Sequence, residues 1–278
     1  SDVSLCQIGA GCLNVGDVNF YSGTSGWVCT TVDKLHLDIG NVIGALVGVD
    51  PDSYCYIAEL ETAGKCMEWV KDRIDLPEMD YDGLIEYMKD VPAGSNGIVY
   101  SPWMHGNRCP FEDPYARGVF FGLGIATRGS DLVKSVVEGV CMHMRWMLEV
   151  TEKAFKTTST VRFTGGSAIS PYICQVLADV LGREVETIEN PRHVGTIGAA
   201  ALMAVSFGLI SDIKEIKDII KVKASYKPNA ANTAIYDRIF PVFKNLYFDN
   251  KKSFASLNAL YEGLYNQNES FEVEETLI

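Results

Sequence analysis

The pattern of apolar and polar positions predicts a chain in which strands and helices alternate. Residues 19–32 carry β-branched and aromatic side chains on both sides of a short polar centre, a pattern typical of two strands joined by a tight turn. Segment 34–51 has only weak strand character and is predicted as a loop. Further strands are predicted at 53–59, 98–100, 160–163 and 184–187.

Apolar residues at helical spacing predict helices between and after these strands. A long helix begins at Ser130 or Asp131, either of which is a favourable N-cap residue, and runs to about residue 156. On this helix His143 has no second ligand at i±4 and is predicted to be a packed or surface histidine, and the methionines are predicted to be core residues. Its apolar face consists of Leu132, Val136, Val140, Met144 and Met147. Shorter helices are predicted at 8–12, 62–72, 82–89, 170–182 and 195–207, and residues 230–266 are predicted to be mainly helical.

The order of elements between residues 160 and 208 is strand, turn, helix, strand and helix, which favours an α/β domain. In such domains ligands bind at the carboxyl ends of the strands. Residues 225–229 are predicted to be a linker, and the polar, acidic residues 267–278 a flexible tail. Periodicity alone leaves the sheet topology open.

Length and charge limit the classes of function. A chain of 278 residues allows one large domain or two small ones, and an apolar share of 47% is normal for a protein with a core. The net charge of −12 argues against nucleic-acid binding, because the phosphates of DNA and RNA require a basic face. A single nucleotide is not excluded, since backbone donors or a metal ion can hold its phosphates locally.

The cysteines and the N-terminus bear on the compartment. Eight cysteines are scattered without a Cys-x-x-Cys pair, which predicts reduced thiols rather than disulfides or a zinc site. No segment resembles a signal peptide or reaches the roughly 18 apolar residues of a membrane span. These observations predict a cytoplasmic location. The chain starts at Ser1 without an initiator methionine, and we expect that it was cut from a longer protein.

Two glycine turns are the candidate binding elements. The first turn consists of Gly23, Thr24, Ser25 and Gly26. Glycine lets a backbone approach a ligand, and the hydroxyl and N–H groups between the glycines suit a phosphate oxygen. An ordinary hairpin turn with polar residues is the competing interpretation. The second turn, 164–167, follows a buried strand and precedes a helix, so that its backbone donors can meet a nucleotide.

The long loop 101–118 is rich in proline and glycine, and loops of this length are often functional. Its two arginines, Arg108 and Arg117, are predicted instead to form salt bridges with Asp113 or Glu112.

Five segments together resemble the C-terminal domain of FGGY-family carbohydrate kinases, and among these kinases the xylulokinases in particular. Residues 100–110 are similar to the family loop LPYLxGERTP, and residues 113–123 to DPxARGxFxGL. Residues 118–138 follow the family's second signature. Residues 164–182 resemble GGGAxSxxxxQxxADVLGxPV, and residues 229–246 resemble PxxxNxxxYDxxYxxYxxLY. The likeness covers nearly the whole chain, and the match over the second and third of these segments is specific.

The resemblance implies an α/β fold of the ribonuclease H-like (actin-like ATPase) type, with a mixed sheet and helices on both faces. In that fold an early hairpin turn and a later turn at a strand end face one cleft, so the two glycine turns are expected to form two walls of a single ATP pocket. Family members have two such domains, with the sugar mostly in the first and ATP mostly in the second. Residues 1–278 would then be a single nucleotide-binding domain, from which the N-terminal sugar-binding domain is absent.

The resemblance also implies site residues. Asp2 lies twenty-one residues before Gly23 and matches the family's catalytic base, which accepts the proton of the attacking sugar hydroxyl. By itself Asp2 reads as a frayed terminal acid. Ser170 falls where some relatives have an asparagine that contacts adenine. The other implied nucleotide-binding residues are Gly23, Thr24 and Ser25 at the phosphates, Gly64 beside the nucleotide, and Gly165, Gly166 and Ser167 on the adenosine side.

Two positions depart from the family pattern. Glu68 stands where glutamine is usual, so no contact with the nucleotide is expected to carry over from that side chain. His193 stands where many relatives have glutamate, and we assign no function to it. No residue of this chain is predicted to be a metal ligand.

The activity that the resemblance implies is ATP-dependent phosphorylation of a sugar hydroxyl, with a xylulose-type ketose as acceptor and Mg²⁺ accompanying ATP. The alternatives are another FGGY substrate (gluconate, ribulose, glycerol or a signal-molecule sugar) and a non-catalytic actin-like binding domain. The expected partners are the sugar, the missing N-terminal domain and, as an open option, a second copy in a homodimer; nucleic acid and membrane are not expected. The chain alone is predicted to bind nucleotide weakly and to show no turnover.

Overall fold

A mixed sheet of seven strands forms the centre of the molecule, for which the computed structural model describes residues 1–48, 50, 52–74 and 76–265. Within these residues the strands are β1 (Val18–Ser22), β2 (Gly26–Val32), β3 (Gly44–Val47), β4 (Tyr54–Leu60), β5 (Val99–Ser101), β6 (Val119–Phe121), β7 (Thr160–Thr164), β8 (Glu184–Ile188) and β9 (Val222–Tyr226). The helices are α1 (Asp2–Gly9), α2 (Gly64–Arg73), α3 (Tyr81–Met88), α4 (Gly129–Thr151), α5 (Pro171–Leu181), α6 (Val194–Ser206), α7 (Ile216–Ile219) and α8 (Ala230–Tyr265).

The sheet has an antiparallel half and a parallel half. Its strand order is β3-β4-β2-β1-β7-β8-β9. Strands β1, β2, β4 and β3 pair antiparallel, β7 pairs parallel with both β1 and β8, and β9 closes the edge antiparallel to β8. Strands β5 and β6 form a separate two-stranded sheet. This is the arrangement that the ribonuclease H-like prediction requires.

Side chains of the central strands alternate between two apolar cores, one on each face of the sheet. On one face Phe20 and Phe163 belong to the main core, which includes the buried side of α4. On the other face Trp27 and Cys29 pack against Val3 of α1. Helices therefore cover both faces, as predicted.

Two glycines allow α1 and α6 to cross in backbone contact. A Cβ atom on Gly9 would lie 1.9 Å from the carbonyl oxygen of Val194, and one on Gly198 would lie 1.9 Å from that of Leu5. No side chain fits at either contact, because Cβ atoms in proteins do not approach other atoms so closely. This crossing fixes the position of α1, and with it the position of Asp2 in its first turn.

The bounds of α1 differ from the short helix predicted at 8–12. α1 begins at Asp2, because the Ser1 hydroxyl caps it by accepting a hydrogen bond from the backbone N–H of Ser4 at 3.3 Å. Soon after its end Gly11 adopts a left-handed φ of 71°, which a helix cannot continue through. The predicted helix therefore lay too late in the chain.

Helix α4 is shorter than predicted at its C-terminus. It ends at Thr151 rather than near residue 156, because the chain beyond it tightens into i→i+3 bonds such as that from the Ala154 N–H to the Thr151 carbonyl at 3.0 Å. Asp131 does cap the helix, but from inside its first turn, where the carboxylate accepts a hydrogen bond from the Arg128 N–H at 2.9 Å.

Long-range pairing produces strands that local sequence did not indicate. The linker predicted at 225–229 is shorter than expected, because its first two residues belong to β9. In that strand Ser225 pairs with Glu186 of β8. Strand β6 lies just beyond the loop 101–118 and pairs with β5. The predicted tail, 267–278, lies outside the described residues.

The salt bridge predicted for Arg108 inside the loop 101–118 is wrong. Its guanidinium pairs with Glu59 in β4, and its Nε lies 2.9 Å from a carboxylate oxygen of Glu61. The loop lies against this strand, since the Cys109 N–H donates to the Glu59 carbonyl at 3.1 Å. Arg117 donates to two backbone carbonyls of its own loop.

His143 of α4 fixes the same loop to the core. The Trp103 Nε1–H donates to His143 Nδ1 at 3.1 Å, and His143 Nε2 lies 2.7 Å from the carbonyl oxygen of Cys109. These partners require a neutral ring with its proton on Nε2. Complete burial lowers the pKa of His143 to about 4. The prediction of a packed histidine is confirmed.

The cysteines are free thiols, as predicted, and all but Cys6 are buried. Among the residues that the structure describes, no helix is long and apolar enough to cross a membrane.

We expect Gly198→Ala to destabilise the protein by about 3 kcal/mol, because the new methyl group collides with the backbone of α1 and forces the helices apart. Gly195→Ala on the same helix is the matched control: its Cβ meets only Cys6 Sγ at 3.4 Å, and alanine favours a helix by about 1 kcal/mol over glycine. Urea denaturation followed by circular dichroism measures both variants. Equal stabilities would contradict the close crossing.

We expect the free energy of unfolding to fall as the pH drops from 7 towards 4, because His143 stays neutral in the fold while the unfolded chain takes up its proton below about 6.5. The loss due to His143 is about 2 kcal/mol by pH 5. His143→Gln keeps a donor and an acceptor and should remove this loss. Burial raises the pKa of Glu138, so this carboxyl stabilises the fold as the pH falls. Its contribution is the same in the wild type and in His143→Gln and cancels in the comparison. Parallel stability curves for the two proteins would refute the assignment.

Candidate functional site

The two predicted glycine turns lie side by side at one edge of the sheet. Strands β1 and β7 are parallel neighbours with Tyr21 opposite Thr164, so both turns leave the sheet at the same end. The hydroxyl oxygens of Ser22 and Ser167, 145 residues apart in the chain, lie 2.8 Å apart in a hydrogen bond. The two turns therefore adjoin, as expected. Their role as two walls of an ATP pocket stays a prediction.

The two turns present hydrogen-bond donors. The N–H of Gly23 donates to the carbonyl of Ser25, and that of Gly165 to the carbonyl of Pro191, both at 2.9 Å, so these glycines have no N–H left for a ligand. The exposed side chains of Thr24 and Ser25 add hydroxyl groups. Within the two turns, four backbone N–H groups have no partner among the described residues, namely those of Thr24, Ser25, Gly166 and Ser167.

The N-terminus of α2 holds the first turn in place. The N–H groups of Ala63 and Lys65 donate to the Thr24 carbonyl at 3.0 and 3.2 Å, and that of Gly64 donates to the Gly23 carbonyl at 2.8 Å. A helix N-terminus can bind an anion only with N–H groups that are free. Here these groups are satisfied by the turn, so α2 positions the first turn instead of offering its own anion site.

The predicted glycines differ in what they make room for. A Cβ on Gly64 would lie 2.4 Å from the Gly23 carbonyl oxygen, and one on Gly165 would lie 2.4 Å from that of Ser22. Gly165 also has a left-handed φ of 91°. Both glycines are therefore required by backbone packing. A Cβ on Gly166 would meet no atom nearer than 4.0 Å, so Gly166 alone of these three has open space beside it.

Asp2 lies in the first turn of α1 with an exposed side chain, and its carboxylate accepts a hydrogen bond from the Val3 N–H at 2.9 Å. Val3 and Cys6 of the same helix belong to the apolar cluster that includes Trp27 and Tyr21. The Tyr21 ring in turn lies against Gly23. Helix α1 therefore packs on the face of the sheet from which Tyr21 reaches the first turn, and the role of Asp2 stays a prediction.

Comparison with known protein families decides the relationship. The model of the FGGY family of carbohydrate kinases, C-terminal domain, matches residues 18–207. The chain belongs to this family. The resemblance read from the sequence is therefore confirmed, while the motif at 229–246 lies outside the matched residues.

Curated relatives of this FGGY chain include kinases of different substrates. Xylulose kinase of Bacillus subtilis is 28% identical over 252 residues, which are 90% of this chain and 50% of the relative. Gluconokinase of the same species is 26% identical, over 88% of this chain and 50% of its own length. The chain spans about half the length of the curated relatives it matches.

Solved structures of FGGY kinases show the same fold. A ligand-bound xylulose kinase from Lactobacillus acidophilus has a TM-score of 0.84 and 23% identity over 91% of this chain and 51% of its own. Glycerol kinase of Plasmodium falciparum, solved with ADP, has a TM-score of 0.71 and 18% identity over 82% of this chain and 46% of its own. These likenesses confirm the predicted actin-like α/β fold class.

The remaining positions singled out by the FGGY pattern have structural partners. The Ser170 hydroxyl caps α5 by accepting a hydrogen bond from the Ile173 N–H at 3.4 Å. Glu68 pairs with Lys65 at 2.6 Å. His193 directly precedes α6 and is exposed. The nucleotide contact expected for Ser170 stays a prediction.

A small cavity lies behind the turns, lined by Ser22 and Ser167 and by residues of α2, α4 and α5, among them Met67, Cys141 and Ile173. At about 20 Å³ it holds about one water-sized sphere. An aromatic base does not fit there.

Sequence reasoning missed two residues of the site. Ser22 joins the turns, and it is the last residue of β1 on the face of the main core, where a serine has no packing purpose. Tyr21 lies on the opposite face and reaches back to Gly23. Side chains alternate between the two faces along β1. Because Phe20 faces the main core, the sequence could have shown that Tyr21 faces the other side and that Ser22 faces the core side.

We expect Gly165→Ala to cost about 2–3 kcal/mol of stability, because the methyl group collides with β1 and alanine is strained at a left-handed φ. Gly166→Ala is the matched control on the next residue, and its stability should lie within about 0.5 kcal/mol of the wild type. Thermal denaturation of both variants measures the difference. A Gly166 variant as unstable as the Gly165 variant would show that the space beside Gly166 is not open.

Proposed function

We propose that this chain is the nucleotide-binding part of an ATP-dependent carbohydrate kinase. The observation that carries the proposal is the pair of adjoining turns, whose free N–H and hydroxyl groups form a set of donors suited to phosphate. Membership of a carbohydrate-kinase family supports the reaction class, as do relatives named xylulose kinase, gluconokinase and glycerol kinase.

In the proposed site the phosphates of ATP lie at the first turn, where Thr24 and Ser25 provide N–H and hydroxyl donors, and the nucleoside lies beside Gly166 of the second turn. The sugar hydroxyl oxygen attacks the γ-phosphorus, the bond from that phosphorus to the β,γ-bridging oxygen breaks, and ADP leaves. Asp2 takes the hydroxyl proton as general base. The donors of the turns stabilise the negative charge on the phosphoryl oxygens.

Mg²⁺ is proposed to arrive with the nucleotide and to offset the charge of its phosphates. Among the described residues no group of three or more His, Cys, Asp or Glu side chains is placed to hold a metal ion. No step of the reaction is assigned to the metal.

The rest of the site is proposed to come from an N-terminal sugar-binding domain of the same protein, since the chain spans about half the length of its relatives. Positioning of the acceptor supplies much of the catalysis of phosphoryl transfer. This chain alone should therefore show no turnover, and the cytoplasm, where ATP and free thiols coexist, is the proposed location.

The proposed acceptor is a xylulose-type ketose, because xylulose kinases recur among the relatives. Gluconate, glycerol, ribulose and a signal-molecule sugar are the competing acceptors. A coupled ADP-release assay of the full-length protein against this panel distinguishes them. Turnover with none of them, while ATP still binds, would favour a non-catalytic actin-like domain.

We expect this chain to bind ATP and ADP, and Gly166→Ala to raise both dissociation constants about tenfold, or about 1.4 kcal/mol, because the methyl group fills space that the nucleotide needs. Titration followed by ¹H–¹⁵N NMR suits the weak affinity expected. Gly124→Ala is the matched control, because it adds a methyl group in open space in another part of the chain. Gly97 also has open space but is unsuitable, since its φ is left-handed. Absence of binding by the wild-type chain would refute the proposed function.

A further inference from the structure

Tyr21 is held rigidly at the edge of the proposed phosphate site. It points to the face of the sheet that α1 covers, and its ring stacks on Trp27 with centroids 5.0 Å apart and an interplanar angle of 9°. Trp27 is itself buried against Val3 of α1. Stacking on a buried partner fixes the plane of the phenol and leaves its hydroxyl no freedom to swing away.

The Tyr21 phenol lies directly against the first turn. A Cβ on Gly23 would lie 2.9 Å from its Cε1 and 3.0 Å from its hydroxyl oxygen. The glycine at position 23 is thus required by this ring, whether or not a ligand approaches. The Tyr21 hydroxyl therefore lies beside the residue that precedes Thr24. The backbone N–H and the hydroxyl of Thr24 have no partner among the described residues.

The Tyr21 hydroxyl is an unused donor. Within the part of the chain that the structure describes it has no hydrogen-bond partner, and the residue is only partly buried, so a ligand can reach it. Burial, with Cys6 and Asp2, raises its pKa, so it is neutral and carries its proton at pH 7. The ring accounts for the packing of this residue, but the hydroxyl contributes nothing to it.

We propose that the Tyr21 hydroxyl donates a hydrogen bond to a phosphate oxygen of the nucleotide bound at the first turn. The proposal rests on the proposed function, since it assigns a further donor to the same site. The ligand class is a nucleoside di- or triphosphate, because the donor lies against Gly23 of the first turn, whose next residues, Thr24 and Ser25, carry free N–H and hydroxyl groups. Tyr21 joins those groups as a third side-chain hydroxyl.

The test compares the wild-type chain with Tyr21→Phe, which keeps the stacked ring and removes only the hydroxyl. We expect the dissociation constants of ATP and ADP to rise about tenfold, since a hydrogen bond to a charged phosphate is lost, and that of adenosine to stay unchanged. The melting temperature should not change. Tyr115→Phe, at an exposed tyrosine of the loop 101–118, is the matched control and should bind all three ligands like the wild type.

A second measurement covers the case in which Tyr21→Phe does not fold. With 3-fluorotyrosine at position 21, the ¹⁹F resonance should shift when ADP is added and should not shift with adenosine. Wild-type affinity for ATP and ADP in Tyr21→Phe, or equal weakening of adenosine, would overturn the role of the hydroxyl while leaving the nucleotide site intact. Failure of the wild-type chain to bind any nucleotide would overturn the proposed function, and this inference with it.

Discussion

Contact between backbones at glycine is the constraint on which the geometry of this domain depends. The first turn lies against Gly64 and the second against β1 at distances that leave no room for a Cβ atom. Hydrogen bonds then lock what the glycines allow: the N–H groups that begin α2 bind the carbonyls of the first turn, and Ser22 binds Ser167 across the two turns. Because the two turns, β1 and α2 meet through direct backbone contacts, the hydrogen-bond donors of both turns are held in fixed positions relative to one another without a ligand.

The same device connects the sheet to the N-terminal helix. Gly9 and Gly198 bring α1 into backbone contact with α6, and Val3 of α1 closes over Trp27. Trp27 in turn supports the ring of Tyr21. A continuous series of close contacts therefore runs from α6 through α1, Trp27 and Tyr21 to the first turn. Asp2 directly precedes Val3 in α1, so the backbone that carries its exposed side chain is held by the same packing.

Local patterns in the sequence predicted most of the strands and helices, and the glycine turns with them. The turn after β1 and the helix between Ser170 and Gly182 carry their signals in adjacent residues, so they could be read directly. β9 and the partners of Arg108 could not be read, because both depend on segments that meet only in the folded chain.

The glycines of the candidate site were read from the sequence, but what surrounds them was not, and their contact with a nucleotide stays a prediction. Family resemblance identified the glycines, and we explained them by the approach of a ligand. The structure shows that Gly64 and Gly165 are required by neighbouring backbone and Gly23 by the ring of Tyr21, which leaves Gly166 with open space. A sequence shows that a residue lacks a side chain but does not show what occupies the space. Tyr21 and Ser22 were missed for the same reason, since neither is unusual until its neighbours across the fold are known.

The charge of the donors gives a physical reason for the weak nucleotide binding that we propose for this chain. The groups that the two turns present are neutral N–H and hydroxyl groups, and the chain as a whole carries a net charge of −12. Lys65, the second residue of α2, lies beside the first turn, but its ammonium is paired with Glu68 at 2.6 Å. Fixed dipoles can orient a polyphosphate, yet they do not cancel its charge. Under the proposed function, cancellation is therefore left to a cation that accompanies the nucleotide or to basic groups of the proposed N-terminal domain. On that proposal this chain orients the polyphosphate without neutralising it, so phosphoryl transfer would need charged groups that the two turns do not supply.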